Sequence, residues 1–271
     1  MGDTVLTTGA NSGIGLATAI ELARRGFHSV GSVRSEEKAR HVKAEAEKAG
    51  VHVDTVLLDV TDVERCERIV DQLRPFGLVN NAGVQVTGAI EEVTDDEARH
   101  AVETMVVAPI RLARLAIPHM RAGAGGRIVN VSSIYGVATT PLTGWYQGAK
   151  HALEALSDAL RVEIAREGIH VALVEPGGFD TDIWEDATED LARRDESRYQ
   201  TAYQRTLTGI RLTRRFMGDP GRVARVIGQA VSSRIPRPRY LVGYDAKAMA
   251  AMERVVPTMV RDRITRFALG L

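Results

Sequence analysis

Residues 8–15 read Thr8-Gly9-Ala10-Asn11-Ser12-Gly13-Ile14-Gly15, set between a β-branched run, Thr4–Thr8, and an apolar-periodic run, Ile14–Arg25. A strand that ends in glycines and reopens at once as a helix has a specific physical use. The small residues let the chain turn tightly and bring its backbone close to a ligand. The helix N-terminus then offers unpaired N–H groups and the positive end of a dipole, which together suit a pyrophosphate. The spacing is GxxxGxG, not GxGxxG, so the reading rests on where the glycines lie between strand and helix.

Working outward, short β-branched runs alternate with longer helical patterns. Strands are predicted at Thr4–Thr8, His28–Val33, Val51–Leu58, Leu78–Asn80, Arg127–Ser132 and His170–Val174, with a seventh at Tyr240–Gly243. Helices are predicted at Ile14–Arg25, Glu36–Ala49, Val63–Leu73, Asp95–Met120 and Tyr146–Glu167. Strand–helix alternation implies right-handed βαβ crossovers. The expected fold class is α/β: a Rossmann-type, doubly wound parallel sheet of about seven strands, with helices on both faces, in one domain over residues 1–271.

Several boundaries carry chemical markers. Thr94-Asp95-Asp96-Glu97 reads as a capping box with acids in the first turn. Gly26, Gly50 and Gly168 each close a helix where the chain needs positive φ. Pro109 should kink the long fourth helix. After Pro176 the chain turns polar, and residues about 182–216 read as a mobile helical flap. Asp219-Pro220 opens another helix, and about 245–271 reads as an amphipathic helical tail.

Composition excludes several function classes. Of 271 residues, 44% are hydrophobic, which excludes disorder, and 35 basic residues balance 35 acidic ones. Zero net charge offers no field to attract nucleic acid. One cysteine, Cys66, cannot form an internal disulfide, and the histidines show no metal-ligand spacing, so no metal is expected. The longest uncharged run, 128–149, is too rich in Ser, Thr, Gly and Tyr for a membrane span. The N-terminus enters a strand without a leader pattern. A cytoplasmic protein without integral membrane association is expected.

The end of the second strand reads Gly31-Ser32-Val33-Arg34-Ser35. An acid at this position binds the ribose 2′-hydroxyl of NAD, whereas arginine accommodates the 2′-phosphate of NADP. Arg34, supported by Asn11 and Ser12, can fork onto that phosphate, so NADP(H) is the expected cofactor.

Tyr146-Gln147-Gly148-Ala149-Lys150 is a YxxxK pair. Spacing of four puts phenol and ammonium on one helical face. A free tyrosine titrates near pH 10, too high for acid–base work near neutrality, and a neighbouring ammonium favours the phenolate. Thirteen residues upstream, Ser133 ends the fifth strand, where its hydroxyl can hydrogen-bond a substrate carbonyl.

With these residues in place, the chain resembles the classical short-chain dehydrogenase/reductase family over residues 4–245. The matching motifs are TGANSGIG (8–15), LDV (58–60), NNAG (80–83), the Ser133/Tyr146/Lys150 set and EPGGFDT (175–181). The resemblance implies that Gly9, Asn11, Ser12, Gly13, Ile14 and Gly15 cradle the cofactor, with Asp59 and Val60 bordering the adenine. Asn81, Ala82 and Gly83 would pass behind the cofactor and brace the sheet. Ser133 would polarise the substrate oxygen, Tyr146 exchange its proton, and Lys150 bind the nicotinamide ribose. Pro176, Gly177 and Thr181 would edge the nicotinamide.

One departure stands out. Where family members carry an asparagine in the fourth helix that holds a water beside the lysine, alignment back from Ile117-Pro118-His119-Met120 puts Met105. A thioether holds water poorly, which puts the proton relay in question. The insert after Thr181 resembles the 17β-hydroxysteroid and retinol dehydrogenase side of the family. Leu142, Trp145, Phe179, Trp184, Tyr199 and Tyr203 are expected to line an apolar pocket for a bulky hydrophobic ketone or alcohol. Two other readings are a cofactor-binding regulator or scaffold that has lost catalysis, and an epimerase or dehydratase. Resemblance and apolar helix faces imply a homodimer or homotetramer built on Asp95–Met120 and Tyr146–Arg166.

Overall fold

The computed structural model describes residues 2–123, 125–194 and 196–271. Positions 1, 124 and 195 of the expected span 1–271, the last of them within the expected flap, lie outside the described residues.

Seven strands form one parallel sheet: β1 Thr4–Thr7, β2 His28–Val33, β3 Asp54–Leu57, β4 Gly77–Asn80, β5 Gly126–Val131, β6 Ile169–Pro176 and β7 Arg239–Val242. Their order is β3-β2-β1-β4-β5-β6-β7, every neighbour parallel. The order reverses between β1 and β4, and in such sheets ligands bind outside the strands' C-terminal ends at that switch.

Alternation along the strands sends side chains to opposite faces. Leu6, Leu78, Ile128 and Val171 pack on one side against α3 (Val63–Leu73) and α5 (Ala108–Ala122). Val5, Val79, Val129 and Ala172 pack on the other against α1 (Gly13–Arg24) and α9 (Pro220–Ser232). Both faces are covered, as a parallel sheet requires, and α2 (Glu36–Lys48) closes the β2–β3 edge through Val42 and Ala46.

The expected markers appear where the chemistry puts them. Gly26, Gly50 and Gly168 take φ of 85°, 71° and 70°. Thr94 and Glu97 form the reciprocal capping box of α4 (Asp95–Val102), and Asp219 caps α9 by accepting from Gly221 N–H at 2.9 Å.

Two expectations are refined in detail. The fourth helix is not one kinked rod but α4 and α5 joined by a π-helical turn, Glu103–Val107. Pro109 has no N–H to give to the Met105 carbonyl, and Ala108 N–H reaches back five residues to Glu103. The strain of the proline is thus taken up just before it. The C-terminal tail is two helices, α10 (Tyr244–Val255) and α11 (Thr258–Leu269), because Pro257 pushes Val256 out of helical conformation.

The expected flap holds α7 (Ile183–Ala192) and α8 (Gln200–Arg214), which hydrogen-bond to the segment before α4. Tyr203, 1% exposed, accepts from Ala89 N–H and donates to Glu92. Arg194 donates to the Thr87 and Glu92 carbonyls and to the Glu97 carboxylate.

Candidate active site and cofactor cleft

The glycine loop lies across the switch point. Gly9 and Gly13 take φ of +65° and +52°, a region costly for any residue with a Cβ. At Gly15 the reason is close approach, since a Cβ there would lie 2.1 Å from the Gly9 carbonyl oxygen. Ser12 precedes α1 without capping it by its side chain, so first-turn N–H groups remain available to an anion.

Asn81, expected behind the cofactor, does specific local work. Its Nδ2 donates to the Thr8 and Gly9 carbonyls at 2.9 and 3.1 Å, while its own N–H donates to Thr8 Oγ1. Ala82 N–H donates to the same hydroxyl. The end of β4 therefore fixes the shape of the glycine loop on β1.

A cleft runs from this loop along the strand ends. It brings together Gly9, Asn11, Ser12, Gly13, Ile14, Gly15, Arg34, Asp59, Val60, Asn81, Ala82, Gly83, Tyr146, Lys150 and Thr181. These come from separate parts of the chain. Lys38, His100 and Thr104 line it too, and the sequence reading passed over all three. Lys38 sits one turn into α2 from Arg34, so a basic residue four past the strand-end arginine was the available signal. Asp59 is held by Thr61, whose N–H and hydroxyl donate to its carboxylate, and together with the nearby Arg34 they lower its pKa against the cost of burial.

Ser133, Tyr146 and Lys150 converge at the other end. Ser133 leaves β5 and caps a short 3₁₀ turn, Ile134–Gly136, accepting from Tyr135 N–H. Tyr146 and Lys150 share one face of α6 (Gly144–Glu163), 8% and 5% exposed. Lys150 Nζ donates to the Val131 carbonyl at 2.9 Å and lies 5.7 Å from the Tyr146 ring centre. Gln147, buried, ties the start of α6 to Thr140 and Thr143.

The electrostatics differ from expectation. Burial pushes the Tyr146 phenol up to about 12, and its hydrogen bond with Ser133 only partly opposes this. Burial brings the Lys150 ammonium down to about 8, against the pull of the Glu154 carboxylate. The group that opposes desolvation at the tyrosine is the Ser133 hydroxyl, and the lysine expected to lower it does not figure among the causes of the shift.

A second cavity, about 580 Å³, opens beside Tyr146. Ser133, Pro176, Gly177, Phe179, Trp184, Phe216 and Met249 are among its walls. Trp184 Nε1 donates to the Phe179 carbonyl, which holds that wall together. The expected lining is corrected in part. Leu142, Tyr199 and Tyr203 pack among themselves and Leu191 beneath the flap, and Trp145 is not a wall residue. Gln85, Tyr135, Phe216 and Met217 line the cavity instead. Pro176 and Gly177 face this cavity and not the glycine-loop cleft, whereas Thr181 faces both.

Met105 lies in the π-helical turn between α4 and α5. It is 1% exposed and packs in one cluster with Tyr146 and Ala149.

Residues 3–192 match the family model described as short chain dehydrogenase. The chain belongs to that family. The short chain dehydrogenase chain is 34% identical over 270 residues to the uncharacterized oxidoreductase YusZ of Bacillus subtilis (strain 168), covering 96% of each. It is 31% identical over 285 residues to Homo sapiens retinol dehydrogenase 5, covering 98% of this chain and 88% of the relative. Among solved structures it resembles a variant of the actinorhodin polyketide ketoreductase with NADPH. The TM-score is 0.77 at 27% identity, covering 92% of this chain and 97% of that one. Among the described residues no helix is long and apolar enough to cross a membrane, and no His/Cys/Asp/Glu group is arranged to hold a metal.

Proposed function

We propose that this short chain dehydrogenase is an NADP(H)-dependent oxidoreductase that interconverts a ketone or aldehyde and an alcohol on a bulky hydrophobic substrate. One observation carries the reading. Tyr146 is the titratable residue shared, among the described residues, by the glycine-loop cleft and the apolar cavity. A proton donor at that junction can serve a substrate in one space and a cofactor in the other.

The cleft fits a dinucleotide phosphate. A Cβ at Gly9 would lie 3.0 Å from the Ala82 Cα, and one at Gly15 would strike the Gly9 carbonyl, so the glycines leave room for a ligand's phosphates. Arg34 and Lys38, with Asn11 and Ser12 opposite, offer cationic and hydroxyl partners for a 2′-phosphate. The similar ketoreductase solved with NADPH supports this choice. When bound, the nicotinamide supplies or accepts the hydride.

The chain's residues do the rest. The Ser133 hydroxyl holds the substrate oxygen, and the Tyr146 phenol gives its proton to that oxygen in reduction or takes it in oxidation. The Lys150 ammonium stabilises the phenolate left behind. Phe179, Trp184, Phe216 and Met249 exclude water and select an apolar body. Similarity to a retinol dehydrogenase supports a large hydrophobic alcohol or ketone.

Val107, Leu156 and Val162, 41%, 42% and 71% exposed on α6 and the turn before α5, support a homodimer or homotetramer.

The test is NADPH oxidation, followed at 340 nm, with a panel of trans-1-decalone, cyclohexanone and 2-decanone. Turnover by the wild type that disappears in Tyr146→Phe is expected. Tight NADPH binding with no turnover by the wild type would replace this reading by that of a cofactor-binding regulator.

A further inference from the structure

The face of α6 that carries Tyr146 carries three more titratable side chains at intervals of four residues: Lys150, Glu154 and Asp158. That spacing stacks them in one stripe, about 5.4 Å per turn. The stripe runs outward. Lys150 and Glu154 are each 5% exposed, whereas the Asp158 side chain is 38% exposed. One helix thus connects the junction tyrosine to solvent through groups that can hold protons.

Glu154 is the unusual member, a carboxyl buried among other carboxyls. Arg239 of β7 reaches Glu154 at 3.1 Å, Asp158 at 2.6 Å and Glu175 of β6 at 3.1 Å. Arg161 holds Asp158 from the next turn at 2.6 Å, and Lys150 acts on Glu154 from the turn before. Glu175 is 1% exposed. Adjacent buried carboxylates that share one guanidinium resist ionising together. Accordingly burial and Glu154 push Glu175 up to about 7, and burial raises Glu154.

The inner side of Glu154 faces the active site. Ser132 Oγ and Glu154 Oε1 both crowd Gly136, where a Cβ would meet them at 2.7 and 3.1 Å. Both atoms are buried without completing a hydrogen bond. Ser132 in turn lines both the cleft and the apolar cavity. Nothing in the Ser133–Tyr146–Lys150 reading uses Glu154. Met105, packed in one cluster with Tyr146, brings no proton-carrying group of its own.

We propose that Glu154 is the proton-exchanging residue behind Lys150, the stripe from Tyr146 to Asp158 being this chain's path for protons to and from solvent. The inference rests on the oxidoreductase reading above. In ketone reduction the Tyr146 O–H bond breaks and its proton goes to the substrate oxygen. A Lys150 N–H proton passes to the phenolate, and Glu154, a carboxylate at rest, takes a proton from solvent through Asp158 and hands it to the Lys150 amine. One proton enters per turnover and every side chain ends as it began. Alcohol oxidation runs the same steps outward.

Glu154 touches no substrate, so its role is positioning and relay, and the test must separate that from structure. Glu154→Gln keeps shape and size and removes the exchangeable carboxyl. With NADPH and trans-1-decalone, kcat should fall about tenfold to a hundredfold, within the range of lost acid–base catalysis. KM and the Kd for NADPH should hold within about twofold, and the solvent deuterium isotope effect on kcat should rise above the wild-type value. Asp158→Asn, at a half-exposed site, should show the same pattern more weakly. Glu163→Gln, exposed on the same helix, should show neither effect.

A readout independent of turnover is the ¹³C NMR titration of Lys150, assigned with Lys150→Met, in protein without added cofactor. Loss of the neighbouring carboxylate in Glu154→Gln should lower the Lys150 pKa by about half a unit or more. A folded Glu154→Gln with unchanged Lys150 titration, or with kcat and isotope effect both unchanged, overturns the relay while leaving the oxidoreductase reading intact. A wild type inactive on the whole panel, with Lys150 and Glu154 still coupled, overturns the oxidoreductase reading and the relay it serves.

Discussion

Tyr146 and Lys150 stand one turn apart on α6, the ammonium 5.7 Å from the ring centre and bonded to the Val131 carbonyl. Burial shifts both towards their neutral forms, the phenol rising to about 12 and the amine falling to about 8, so that near neutral pH the phenol is protonated and the lysine still carries its charge. The pair is largely buried, and in the proposed reaction the proton that Tyr146 gives up has to be replaced.

That arrangement makes Tyr146→Phe severe. It should lose about 10²–10⁴-fold in kcat, the usual scale of general acid catalysis. Met105→Asn should change kcat far less, and raises it if proton supply limits the rate. Steady-state NADPH oxidation with trans-1-decalone measures both, and a Tyr146→Phe variant with wild-type kcat rejects the assignment.

Stability should show the cost of burying Lys150. Lowering its pKa from 10.5 to about 8 corresponds to about 3 kcal/mol. Between those two values the folded chain binds fewer protons than the unfolded one, so stability rises with pH across that window. Lys150→Met removes the buried charge but leaves the Val131 carbonyl without its donor. The variant should still gain at least about 1 kcal/mol at pH 7, some 2–4 °C in Tm. The gain should vanish by about pH 10.5. Calorimetry at pH 7 and 10.5 checks the sign, and a loss of Tm at pH 7 contradicts it.

Cofactor choice should lie with Arg34. A guanidinium–phosphate contact contributes about 1.5–3 kcal/mol, so Arg34→Ala should weaken NADPH about tenfold or more and leave NADH nearly unchanged. The double variant with Lys38→Ala should weaken NADPH further. Fluorescence titration with both cofactors decides, and equal losses for the two would reject the phosphate contact.

The flap depends on Tyr203. Tyr203→Phe leaves the Ala89 N–H buried without its acceptor at 2.8 Å and removes the bond to Glu92 at 2.6 Å. The expected cost is about 1–3 kcal/mol, with faster proteolytic cutting within residues 182–216. An unchanged digestion pattern would mean that the flap is held by other contacts.

Assembly should respond to Val162, which is 71% exposed on α6. Light scattering of the wild type at micromolar concentration should give a dimer or tetramer mass, and Val162→Glu should shift it towards the monomer. A monomeric wild type contradicts the proposal.

Much of this was readable from the chain. Strand and helix patterns depend on alternation and on 3.6-residue periodicity, which are local, so the seven strands and the helices α1, α2, α3 and α6 could be placed to within a few residues. The TGANSGIG loop and the YxxxK pair were legible for the same reason: each is a contiguous stretch whose geometry follows from spacing along one element. Gly26, Gly50 and Gly168 were readable because positive φ is a property of a single residue.

Other features depend on residues far apart in sequence. Asn81 bonding to the Thr8 and Gly9 carbonyls, Tyr203 reaching Glu92, and Arg239 gathering Glu154, Asp158 and Glu175 all join separate elements. Whether Tyr199 lines a substrate cavity or packs beneath the flap is set by how helices dock, and periodicity does not record that. The π turn before Pro109 comes from the proline together with the packing on both sides of it. The sequence by itself determined the parallel sheet, the tight glycine loop between β1 and α1 and the placing of Tyr146 and Lys150 on one helical face, because these follow from local backbone preference and residue spacing. Only the tertiary structure decided how deeply Tyr146 and Lys150 are buried and which carboxyl stands behind them, because desolvation and charge coupling exist only once distant elements have packed together.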